Sequence, residues 1–123
     1  MSANIEVKVT TAYVEAQSDP LQDRYVFAYN ITITNRSDFP CRLLNRHWII
    51  SDASGGVEEV RGEGVVGQQP RLEPGQAFEY TSGAILKTPV GSMHGEYEFV
   101  TDGGERFEAE ISPFSLSMPN LVH

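Results

Sequence analysis

The chain carries one cysteine, Cys41, in 123 residues, so it can close no intrachain disulfide and build no cysteine metal cage. Both points suit a reducing compartment, and a cytoplasmic location is expected. Long apolar runs are missing, so no membrane insertion is expected. The start, MSANIEVKVTT, has no basic stretch followed by an apolar one, and no secretory signal is expected. Basic residues are few. Nine Lys and Arg against 17 Asp and Glu give a formal charge of −8. No nucleic-acid partner is expected, because binding a phosphate backbone needs cations that displace its counterions. Repeats, low-complexity tracts and an interdomain linker are absent as well. A single domain over residues 1–123 is expected, with 113–123 as a C-terminal tail lying along the domain or against a partner.

What is present has a period of two. In IEVKVTTAY, Ile5, Val7, Val9, Thr11 and Tyr13 share one face. In YVFAYNITIT, Tyr25, Phe27, Tyr29, Ile31 and Ile33 share one face, and the opposite face is smaller or more polar. Alternation of β-branched and aromatic residues marks strands with one side in a core. Further strands are expected in CRLLNRHWIISD, VEEVRG, QAFEYTSG, MHGEYEFVT and ERFEAEIS, separated by turn-forming SDP, NRSDFP, DASGG and DGG. No window shows a helical stripe. The expectation is all-β: an immunoglobulin/fibronectin type III-like antiparallel β-sandwich of about seven or more strands, with no disulfide.

One stretch invites a different reading. GEGVVGQQP places Gly62, Gly64 and Gly67 at the spacing of a dinucleotide-binding turn. That turn works only if a helix starts there and aims its N–H groups at a pyrophosphate. Pro70 and Pro74-Gly75 forbid such a helix, and the residues beyond alternate like a strand. The glycines then supply positive φ or close backbone approach in a long loop from Gly62 to Gly75. A weaker version survives, in which loop N–H groups, flanked by Arg61 and Arg71, bind a phosphate compound.

Trp48 sits in the third strand, and Tyr97 precedes Phe99 by two residues. Immunoglobulin domains place a core Trp and a corner Tyr in this way, with the Tyr two residues before a bridging cysteine. Phe99 stands where that cysteine would be, so aromatic and aliphatic packing is expected to replace the bridge. The segments NRHWIISD, GEGVVGQQPRLEPGQAFEYTSG, TPVGSMHGEYEF and FSLSMP together resemble the bacterial ApaG family over nearly the whole chain. The resemblance implies the same sandwich fold. It also implies an association with cobalt resistance and magnesium efflux, without an assigned chemistry. The family's gene commonly neighbours that of a dinucleoside-tetraphosphate hydrolase. Related domains in an F-box protein and a DNA polymerase delta-interacting protein imply a protein-binding role.

The candidate chemistry is sparse. No two of His47, His94 and His123 have metal-ligand spacing. Cys41 has no local base, and YTSG at 80–83 lacks the elbow of a nucleophilic serine, so no enzyme is expected. The last hairpin is more informative. A three-residue loop, Asp102-Gly103-Gly104, pairs Phe99 with Phe107 and puts Tyr97, Phe99, Phe107, Ala109 and Ile111 on the core side. Glu98 then faces Glu108, and Glu96 faces Glu110, crowding four carboxylates on an outer face. No cofactor is expected; the one metal candidate is weak Mg²⁺ or Co²⁺ binding by these four. The leading expectation is a non-catalytic binding module with a protein partner, using the 62–75 loop and the tail. A phosphate or nucleotide-compound sensor and a divalent-cation binder are the alternatives. Exposed edge strands permit a homodimer.

Overall fold

The computed structural model describes residues 3–119. Alternating residues become strands wherever period-two patterning occurs: β1 (Ile5–Tyr13), β2 (Tyr25–Asn35), β3 (Cys41–Asp52), β4 (Val57–Glu63), β5 (Arg71–Leu72), β6 (Ala77–Leu86), β7 (Val90–Thr101) and β8 (Arg106–Ser117). The only helices among the described residues are single 3₁₀ turns at Glu15–Gln17 and Pro20–Gln22. None is long and apolar enough to cross a membrane.

Two antiparallel sheets face each other. One has the order β1-β2-β6; the other runs β4-β3-β7-β8, with β5 continuing the β4 side of β3. This arrangement of three strands on five, the fifth being the two-residue β5, is the immunoglobulin/fibronectin type III-like sandwich that the patterning implies. Side chains of both inner faces interdigitate: Phe27, Tyr29, Ile31 and Ile33 from one sheet, Leu43, Trp48, Tyr97 and Phe99 from the other. Fully burying each such side chain contributes roughly 1.5–3 kcal/mol. Trp48 packs edge-on against Tyr29 across the core, at 5.5 Å between centroids, and against Tyr97 within its own sheet at 6.3 Å.

The final hairpin has the expected register. Phe99 pairs with Phe107 and their rings stack at 5.5 Å; Glu98 pairs with Glu108, and Glu96 with Glu110.

Three expectations need correction. Tyr97 is no corner residue. It lies in the middle of β7, fully buried, and its hydroxyl meets that of Tyr80 on β6 at 2.6 Å. That hydrogen bond joins the two sheets. The segment from residue 113, expected as a tail along the domain or against a partner, is part of a strand of the domain as far as Ser117: β8 continues there, with Phe114 opposite Met93 and Leu116 buried. An irregularity at Ser112-Pro113 accommodates the proline, which cannot donate to a ladder. Residues 120–123, including His123, lie outside the described residues. Finally, the 62–75 stretch is not one long loop. Gly62 and Glu63 end β4, and Arg71–Leu72 form β5.

Candidate functional site

The glycine-rich stretch folds into a tight hairpin. Val65 and Gln68 exchange both backbone hydrogen bonds, at 2.8 and 2.9 Å. The two residues between them, Val66 and Gly67, have φ of 43° and 80°. Two positive φ values mark the type I′ turn that a two-residue hairpin favours. Glycine accepts this at Gly67. Val66 does not: a β-branched residue in the left-handed region costs about 1–2 kcal/mol. Val65 anchors the turn by burying its side chain completely in the core, while Val66 stays 51% exposed. No helix follows Gly67, so the phosphate-cradling geometry of a dinucleotide turn is not formed.

Arg61 and Arg71, the flanking arginines, turn to carboxylates instead. Arg61 reaches Glu59 at 2.8 Å. Arg71 bridges Glu73 and Asp102, and these bonds hold its guanidinium above its ordinary range, Asp102 first. The arginine beside the turn is Arg46. Its Nη1 donates to the carbonyls of Glu63 and Gly64, at 2.9 and 3.0 Å. Its guanidinium lies over Gly62, where a Cβ would come within 2.7 Å of Nη2. Gly62 is therefore a seat for Arg46.

The backbone explains why Arg46 is there. Cys41 and Leu43 point inward, and simple alternation would carry Asn45 and His47 inward after them. A register shift between Leu43 and Asn45 reverses this. Beyond it Arg46 and Trp48 face the core and pair with Tyr97 and Gly95; Asn45 and His47 face out, opposite Glu98 and Glu96. Arg46, Tyr29, Trp48, Val65, Val66, Gly67, Tyr80 and Ser82 line a cavity of ≈ 180 Å³. Its wall holds one cation, three aromatic rings and a serine, and no carboxylate.

The outer face of the same sheet is built differently. Both ring nitrogens of His47 face carboxylates, which accept from the protonated ring: Glu96 lies 2.8 Å from Nδ1 and Glu59 3.0 Å from Nε2. The bond to Glu96 raises its pKa above the ordinary value, against desolvation, with Glu59 adding to the rise. Glu59 is lowered in turn, by His47 first and Arg61 next. Glu98 accepts from Asn45 at 2.6 Å and from Arg106 at 3.3 Å. Of the four carboxylates that the register brings together, Glu96 and Glu98 are thus met by the chain's own donors, while Glu108 and Glu110 have no side-chain partner among the described residues. No group of three or more His, Cys, Asp or Glu among the described residues is arranged to hold a metal ion. His94 sits at the register shift between Met93 and Gly95. Cys41 is fully buried, and burial pushes its thiol up, with Asp102 adding to the rise.

Sequence reasoning missed Arg46, Tyr80 and His47 as site residues. A signal existed for Arg46: a lone charge between core positions Leu43 and Trp48 marks a place where alternation breaks.

Comparison with known proteins agrees with this geometry. The model of the family described as ApaG domain matches residues 15–101. A protein of Aromatoleum aromaticum called Protein ApaG is 53% identical over 119 residues, covering 97% of this chain and 94% of that one. Another of the same name, from an Azoarcus species, is 55% identical with the same coverage. A crystal structure of a Bordetella pertussis protein described as ApaA superposes with a TM-score of 0.93, at 52% identity and 97% coverage of both chains.

Proposed function

The chain belongs to the ApaG-domain family, and from that premise we propose that it is a non-catalytic interaction module. It would grip a protein partner along the side of the sandwich where β4 and β6 are edges. The observation that carries this is the placement of apolar surface. Among the described residues four large hydrophobic side chains are prominently exposed: Leu21, Val57, Val66 and Ile85. Val57 and Ile85 line one cleft of ≈ 660 Å³ between the two edges. Val66 tips the turn that faces Tyr80 and Ser82 of β6. Three of the four thus lie along one side. Exposed apolar residues beside unpaired strand edges favour strand addition by an extended segment.

Among the described residues Cys41 is sealed in the core and His47 is held by two glutamates, which supports a binding role. On this reading any part in cobalt or magnesium handling runs through the partner. Photo-crosslinking in cells tests the proposal, with the photoreactive residue placed at Ile85 or Val57 and, as a control, at Lys8 on β1. Discrete adducts from the first two positions and none from the third are expected. Adducts of equal yield from all three, or from none, would reject it.

A further inference from the structure

We infer that the cavity behind the glycine turn binds a small tetrahedral oxyanion, a phosphate group, with Arg46 as its charge partner. The inference goes beyond partner docking along the edges and stands without it.

Four features of the cavity converge. First, Arg46 is a cation on an inward face whose protein hydrogen bonds go only to the carbonyls of Glu63 and Gly64, through Nη1. Among the described residues no carboxylate forms an ion pair with it. Glu63, Glu96, Glu98 and Glu108 line an outer cleft that Arg46 also borders, but none of them pairs with it. Its remaining N–H groups suit an oxyanion, which a guanidinium fork matches well. Second, two hydroxyls in the lining, on Tyr29 and Ser82, have no hydrogen-bond partner among the described residues, yet no buried polar side-chain atom is left unsatisfied. They therefore keep contact with the cavity's solvent and can donate to a ligand.

Third, size selects. At ≈ 180 Å³ the cavity falls below the 300 Å³ or so at which drug-sized ligands begin to fit, so it admits a phosphate group and excludes a whole nucleotide. Fourth, the rim is the strained turn. Val66 holds a left-handed conformation that its own side chain disfavours, and such strain persists where the surrounding structure demands it, often at ligand sites. The glycine spacing thus borders an anion site that is built without a helix. Its charge comes from a residue on β3, not from Arg61 or Arg71.

The ligand is either free phosphate or the terminal group of a larger ester held outside the mouth. Trp48 lines the cavity and is the chain's one tryptophan, so its fluorescence reports directly. The probes are inorganic phosphate, phenyl phosphate, acetate and chloride at matched ionic strength. A saturable change with phosphate, none with acetate or chloride, and loss of the change in Arg46→Gln are expected. A tighter midpoint for phenyl phosphate assigns an ester; an equal or weaker one assigns the free ion.

Because Arg46 also holds the turn, the double variant Ser82→Ala/Tyr29→Phe provides a second arm. Removing two donors should weaken phosphate by at least roughly tenfold while the near-UV spectrum stays native. The inference is overturned by an unsaturable or absent phosphate response, by acetate matching phosphate, or by a response that survives both substitutions.

Discussion

Arg46 and His47 are sequence neighbours that live in opposite surroundings. His47, on the outside, sits between Glu96 and Glu59, each compensated further by Arg61 or solvent. Arg46 bonds only to backbone carbonyls and shares its inner cavity with three aromatic rings; it also borders an outer cleft lined by Glu63, Glu96, Glu98 and Glu108, yet forms no ion pair among the described residues. Exposed charges that compensate one another in water contribute little and are screened by salt. A half-buried cation held by carbonyls rather than by a carboxylate keeps only part of its hydration, so what meets its hydrogen bonds is structurally consequential. The acidic outer face, which looks the more dramatic in the sequence, is therefore the quieter of the two.

The comparison is broken most severely from the inside. Arg46→Met removes the donors to Glu63 and Gly64 and should destabilise by about 2 kcal/mol, since a hydrogen bond from a charged group contributes about 1.5–3 kcal/mol and only the bond to Gly64 is partly shielded from solvent. Urea unfolding checks this; a loss below 1 kcal/mol, on the same scale, would place Arg46 with the surface charges. Next comes the buried hydroxyl pair. Tyr97→Phe strands the Tyr80 hydroxyl and should cost about 2 kcal/mol, whereas Tyr80→Phe/Tyr97→Phe should recover most of that loss. A double-mutant cycle with additive losses would contradict a direct bond.

Relaxing the turn has the opposite sign. Val66→Asn puts a residue that tolerates left-handed backbone at φ 43° and should stabilise by about 1 kcal/mol. A drop in thermal midpoint would show that Val66 makes contacts worth more than its strain. The mildest change is outside. His47 is raised above its ordinary pKa of about 6.5 by Glu96 and Glu59, so its protonated form favours the folded state. Its stabilisation is complete below that ordinary value and fades as pH rises through the raised one. His47→Gln should flatten the stability profile from about pH 6.5 upward. Wild-type thermal midpoints that do not fall across that window would refute the pairing.

Much of the fold was legible because strand patterning is local. The faces of β1 and β2 follow from alternation alone. The register of the last hairpin follows from one choice of loop length that keeps Phe99, Phe107 and Ala109 together. The absence of a helix after Gly67 follows from Pro70 and Pro74. The site was less legible. Arg61 and Arg71 flank the glycines in sequence, but their side chains answer to Glu59, Glu73 and Asp102, two of which are near neighbours in sequence. Tyr97 resembled a corner residue by its spacing to Phe99, and its real partner lies on another sheet. The two-residue β5 was too short for any periodicity to register.

Taken alone, the sequence determined a disulfide-free sandwich and the alternation of its strands, because a period of two needs only neighbours along the chain. Tertiary structure decided which of Arg46 and His47 points inward. One extra residue at Leu44 reverses every face beyond it, and the energy that selects that reversal is the burial of Trp48 against Tyr29 from the opposing sheet.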